Sequence, residues 1–136
     1  MQAQRYDVQE KGAHLVILEG GQIRCVSLEI RSQWMLGRRT PDNDPDIPLY
    51  SPIVSRQHGM FTNIEGQWYY TDNPQSLNGT FYNGKKIAAP MKGKKKSKCL
   101  KDGDVLRIDN DNLNTPNEEA VVMVFRNITE KETQRR

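Results

Sequence analysis

No apolar run in this 136-residue chain approaches the roughly 20 residues a helix needs to span a bilayer. The first residues, Met1 to Asp7, have no apolar stretch behind their charge that would read as a secretory leader. These absences point to a soluble, cytoplasmic domain with no membrane partner. Cysteine is scarce as well. Cys25 and Cys99 stand far apart, with no second Cys or His beside either at ligand spacing, so neither a zinc site nor a disulfide framework is indicated. Two free thiols in a reducing compartment are the simpler reading. Neither sign of charge dominates: the net charge of +3 is too small to mark a nucleic-acid binder, although it leaves the surface favourable to an anionic partner. Helical periodicity of useful length is also missing, and the chain is long enough for one core but not two.

What is present is a series of short strand signals divided by turns. Leu15-Val16-Ile17-Leu18 ends at Gly20-Gly21, and Val26, Leu28 and Ile30 then alternate with Ser27, Glu29 and Arg31 in the period of two that puts one face in a core. Trp34-Met35-Leu36 leads into Gly37-Arg38. The stretch from Arg39 to Pro52 carries four prolines among Asp and Asn residues, a composition that favours a long turn-rich loop, with at most a short strand near Asp46-Ile47. His58, Met60, Thr62 and Ile64 alternate with Gly59, Phe61 and Asn63, and Glu65-Gly66 turns the chain into Trp68-Tyr69-Tyr70-Thr71. Phe81-Tyr82 precedes Asn83-Gly84, the strongest short hairpin signal. Lys101-Asp102-Gly103-Asp104 turns into Val105 to Ile108, and Val121 to Phe125 is a last β-branched run. The pattern predicts an all-β, antiparallel β-sandwich. Residues 1–12 read as a flexible N-terminal segment and residues 128–136 as a C-terminal tail or linker, around a domain at 13–127.

Two enzyme signatures fail on context. Cys25 and Arg31 have the Cys-x5-Arg spacing of tyrosine phosphatases, but the residues between them lack glycine and alternate like a strand, which would hold the two about 20 Å apart at about 3.3 Å per residue. Gly79 to Lys86 nearly spells a phosphate-binding loop. Its last position is Lys86 rather than Ser or Thr, and Pro90 follows too soon for the helix that such a loop requires. Neither catalysis, a metal nor a cofactor is indicated. Lys92, Lys94, Lys95, Lys96, Lys98 and Lys101 crowd one segment without interleaved aromatics, which suits a solvated loop better than a nucleic-acid platform.

Three polar signals remain, in order: Gly37-Arg38, then Ser55-Arg56-Gln57-His58, then Leu77-Asn78-Gly79-Thr80 with Asn83-Gly84 close behind. This ordered set resembles the forkhead-associated (FHA) domain, over roughly residues 13 to 126. The resemblance implies a sandwich of about eleven strands whose loops at one end bind a phosphothreonine peptide, as a monomeric protein-interaction module in Ser/Thr-kinase signalling. Carried over by position, Arg38 and Ser55 would bond the phosphate, Arg56 would add charge beside it, and Asn78 would hold the peptide main chain. Gly37, His58, Gly79, Asn83 and Gly84 would be scaffold within the site. One position departs from the family pattern: where many members offer a Ser or Thr hydroxyl just before Asn78, this chain has Leu77, whose backbone N–H would serve instead.

The loop ahead of Ser55, Tyr50-Ser51-Pro52-Ile53-Val54, carries no charge. The resemblance implies that this loop selects the peptide residue three positions after the phosphothreonine, so Ile53, or Val54 if it faces outward, would favour an aliphatic residue there over an acidic one. Alternatives are an FHA-like scaffold that docks its partner without phosphate, and nucleic-acid contact through the Lys92 to Lys101 loop.

Overall fold

The computed structural model describes residues 11–87, 96–110 and 117–128. Its eleven strands are β1 (Gly12–Glu19), β2 (Gln22–Ser27), β3 (Gln33–Arg38), β4 (Ile47–Leu49), β5 (Gly59–Ile64), β6 (Gln67–Asp72), β7 (Phe81–Tyr82), β8 (Lys85–Lys86), β9 (Lys96–Cys99), β10 (Val105–Ile108) and β11 (Val121–Ile128). They form two sheets, one in the order β2-β1-β11-β10-β7-β8 and one in the order β4-β3-β5-β6-β9. All pairings are antiparallel except β3 with β4, which run parallel because the 39–46 loop carries the chain back across the end of the sandwich. The expected antiparallel sandwich therefore holds with one parallel pair at an edge.

Alternating burial builds the core. Leu15 and Ile17 of β1, Leu36 of β3, Phe61 of β5, Tyr70 of β6, Leu106 and Ile108 of β10, and Met123 and Phe125 of β11 have no solvent exposure. Each such side chain contributes roughly 1.5–3 kcal/mol on burial. The Phe61 and Tyr70 rings meet across β5 and β6 with centroids 5.1 Å apart. Tight two-residue turns close three of the hairpins, and in two of them non-glycine residues, Glu65 and Asn83, adopt positive φ before a glycine.

The second strand is shorter than its alternation suggests. It stops at Ser27, after which Leu28 drops into the core while Ile30 is exposed. The Trp34 indole N–H donates to the Leu28 and Arg31 carbonyls, at 3.1 and 3.2 Å, and the Glu29 carboxylate accepts the Ala13 N–H. These bonds turn the chain from one sheet to the other, so the strand geometry assumed for Cys25 to Arg31 ends midway. Arg31 instead pairs with Asp46 at 2.8 Å. Gly79 to Lys86 is a loop and the β7–β8 hairpin. Of the proposed terminal segments, residues 1–10 and 129–136 lie outside the described residues, as do Lys92, Lys94 and Lys95.

Candidate functional site: three loops at one end of the sandwich

The 39–46, 50–58 and 73–80 loops gather at the end of the sandwich where β3 finishes and β5 and β7 begin. Arg38, the last residue of β3, donates its backbone N–H to the Ser55 carbonyl at 3.0 Å. Its Nη1 donates to the Val54 carbonyl at 2.6 Å and, more weakly, to that of Pro52 at 3.3 Å. Nε and Nη2 make no hydrogen bond among the described residues. The guanidinium is thus anchored through one nitrogen, with donors left over for an anion.

Gly37 lets the 50–58 loop come this close. A Cβ there would sit 1.8 Å from the Arg56 carbonyl oxygen, so any side chain would displace the loop backbone. The same Arg56 carbonyl, together with that of Arg38, accepts from the Asn43 side-chain amide, at 3.1 and 2.8 Å. Asn43 thereby ties together the backbones that carry two of the site's arginines. The Arg56 side chain is exposed. The nearby Asp42 carboxyl is held below its ordinary pKa by the Thr40 hydroxyl first, then by its own backbone N–H and by the Arg56 charge.

Ser55 and Leu77 meet across two loops: the Leu77 N–H donates to the Ser55 hydroxyl oxygen at 2.9 Å. That oxygen accepts, so its own proton stays available for another acceptor. The Leu77 side chain is 85% exposed beside this bond. Asn78 donates its side-chain amide to the Ile53 carbonyl at 2.8 Å, joining the same two loops a second time. Ile53 is half-buried and sits at the loop surface. Val54 is fully buried and belongs to the core cluster, which overturns the expectation that it could face a peptide. The turn closed by the Val54 N–H and the Ser51 carbonyl points its side chain inward.

His58 links the loops from beneath. Its ring is fully buried; Nδ1 accepts the Ser55 N–H at 3.0 Å, and Nε2 lies 2.9 Å from the Gly79 carbonyl. These partners assign a neutral ring protonated on Nε2. Burial lowers its pKa below the ordinary 6.5, outweighing the opposite pull of the Gly79 carbonyl and of Asp72. Asp72, also fully buried, accepts from Thr80 at 2.7 Å and from Tyr70 at 3.0 Å through Oδ1. Burial drives the Tyr70 phenol well above its usual pKa, so it remains a donor. Asn73 completes the bracing, donating to the Gln57 carbonyl at 2.8 Å.

Asn83 and Gly84 do not join this cluster. They lie at the opposite end of β7, where Asn83 donates to Asp104 at 3.1 Å and accepts the Val105 N–H at 2.8 Å. Their part is to pin the β7–β8 hairpin to β10, so the expectation that they are scaffold within the site is corrected to scaffold outside it. Asn43, Asp72 and Asn73 are the contributors that sequence reasoning missed. A polar Asn or Asp in a turn-rich stretch carries no signal of which distant carbonyl it will meet.

A family profile for the FHA domain matches residues 34–109, more than half of the chain. The chain belongs to the FHA domain family. FHA domains are interaction modules rather than enzymes. Among curated relatives, the E3 ubiquitin-protein ligase DMA2 of Saccharomyces cerevisiae is 33% identical over 91 residues, an alignment covering 59% of this chain and 17% of the ligase. This chain therefore spans only a small part of that relative's length. Among solved structures, an engineered FHA domain with a Myc-pTBD peptide is 27% identical with a TM-score of 0.62, covering 92% of this chain and 97% of that one. An FHA domain from work on phosphothreonine-dependent FHA interactions shares the fold at 22% identity and a TM-score of 0.61, covering 85% of this chain and 96% of that one.

Proposed function

We propose that this FHA domain binds phosphothreonine peptides through the loops around Ser55, as an interaction module that reads the products of Ser/Thr kinases. The observation that carries the reading is the convergence on Ser55: its hydroxyl bonds the Leu77 N–H, while the anchored Arg38 guanidinium reaches the carbonyl of the neighbouring Val54. The Nε and Nη2 protons of that guanidinium and the unspent Ser55 hydroxyl proton are a donor set for a phosphate that carries about 1.5 to 2 negative charges and three acceptor oxygens, whereas the Leu77 N–H, expected to serve there, is spent on Ser55. Arg56 adds positive charge at the rim, and Asn78 keeps one amide proton and its oxygen for a peptide backbone. The peptide-bearing FHA neighbour is in keeping with this reading.

The geometry also limits what must be reordered on binding. Arg38, Ser55 and Asn78 are already fixed by backbone carbonyls or amides of the neighbouring loops. Little side-chain entropy remains to be lost.

The test is titration calorimetry of the domain against a phosphothreonine peptide selected from a degenerate library. Arg38→Ala is expected to weaken binding by about tenfold to a hundredfold, because hydrogen bonds to charged groups are worth roughly 1.5–3 kcal/mol each. Equal binding of the unphosphorylated peptide would identify phosphate-independent docking instead.

A further inference from the structure

The outward face of the second sheet carries a groove of about 480 Å³. Met35, Met60 and Thr71 stand in register across β3, β5 and β6, Tyr69 and Ile64 continue the groove away from the loops, and Pro74 closes it at the loop end. Ile64 is 54% exposed. Among the described residues Asp72 is the one charged residue along it, and its side chain is fully buried, so these residues offer apolar and neutral polar contacts.

We infer that this groove holds an apolar stretch of the same phosphorylated partner, a few residues away in sequence from the phosphothreonine; the inference rests on the phosphothreonine reading above. Continuity argues for that occupant. Asn73 and Pro74, at the mouth of the groove, belong to the loop that carries Leu77 and Asn78, and Asn73 is bonded to the His58 carbonyl and to that of Gln57. A peptide lying across Ser55 and Asn78 can therefore run onto the sheet past Asn73 and Pro74. The length fits as well. From Gly59 to Ile64 the groove runs about 17 Å at about 3.3 Å per residue, so roughly five extended peptide residues cover it. Two neighbouring methionines give such a surface an adaptable, polarizable floor that accepts different aliphatic side chains.

The experiment compares a short phosphothreonine peptide chosen from a degenerate library with the same peptide extended on either side by glycine and serine, with a leucine pair walked along each extension. One placement is expected to tighten binding by about tenfold, an increment in line with burying two aliphatic side chains incompletely. Met60→Glu, and separately Thr71→Lys, should remove that gain and leave the short peptide's affinity unchanged. If no placement tightens binding, or if the gain survives both substitutions, the inference is overturned while the phosphothreonine reading stands. If the short peptide binds Arg38→Ala as well as it binds the unaltered domain, both fall. Sedimentation showing a dimer that Met60→Glu dissociates would give the groove to a second copy and overturn the inference.

Discussion

The Leu77 amide donates to the Ser55 hydroxyl oxygen at 2.9 Å, joining the loop after β4 to the loop after β6. Ser55→Ala removes the acceptor of this bond and a donor for phosphate in one step. Leu77 lies at the surface, so water replaces the lost acceptor and stability should change by less than about 1 kcal/mol. Phosphopeptide affinity should fall by about tenfold, the loss of one charge-assisted hydrogen bond. Calorimetry alongside thermal melting separates the two effects, and an unchanged affinity would remove Ser55 from the phosphate site.

Gly37 should tolerate no side chain. The atom that a Cβ would strike is a backbone oxygen, that of Arg56, and not the end of a flexible side chain. Gly37→Ala must push the 50–58 loop off β3, breaking or stretching the bond between the Arg38 N–H and the Ser55 carbonyl. A loss of about 1–3 kcal/mol is expected, the usual size for overpacking, together with weakened peptide binding. A variant that melts at the wild-type temperature would contradict the close approach.

Most of the architecture was readable because its signals are local. Alternation in β5 and β6, and turn pairs such as Asn83-Gly84, state their own structure. Arg38, Ser55 and Asn78 could be placed because their order along the chain matches a known family, whereas their residue types alone say only that they are polar. What stayed hidden depends on contacts distant in sequence. Val54 is as apolar as Ile53, and only the turn back to Ser51 decides which of the two is buried. Asn43 differs in nothing visible from the other polar residues of its loop until its amide meets the Arg38 and Arg56 carbonyls.

The buried His58 gives the free domain a pH dependence with a definite sign. Its folded pKa lies below the unfolded value near 6.5, so on acidification the unfolded chain takes up a proton that the folded ring refuses. Stability is therefore lost as pH falls through about 6.5, and the loss levels off below the folded pKa. Protonation would also turn Nδ1 from the acceptor of the Ser55 N–H into a donor facing it. The melting temperature of the peptide-free domain should drop between about pH 7.5 and about pH 5, and the drop should be smaller in His58→Gln. Because no phosphate is present, its own second ionisation near pH 6 does not enter. Parallel curves for the two proteins would rule out His58 as the source.

Peptide selection should follow the uncharged loop before Ser55. With Val54 in the core, Ile53 is the aliphatic side chain left half-exposed there, and its carbonyl is held by Asn78. In the phosphothreonine reading, a peptide residue three positions after the phosphothreonine comes to this loop. An aspartate would lose water there without gaining a cation, whereas Ile, Leu or Val could pack on Ile53 for about 1–2 kcal/mol. Of the two cations near the loop, Arg39 lies 3.6 Å from Asp44, and Arg56 is exposed beside Ser55. A phosphopeptide array should rank aliphatic residues above Asp at that position, and Ile53→Arg should invert the order. An array on the unaltered domain in which Asp outranks every aliphatic would show that a basic side chain, not Ile53, sets the choice.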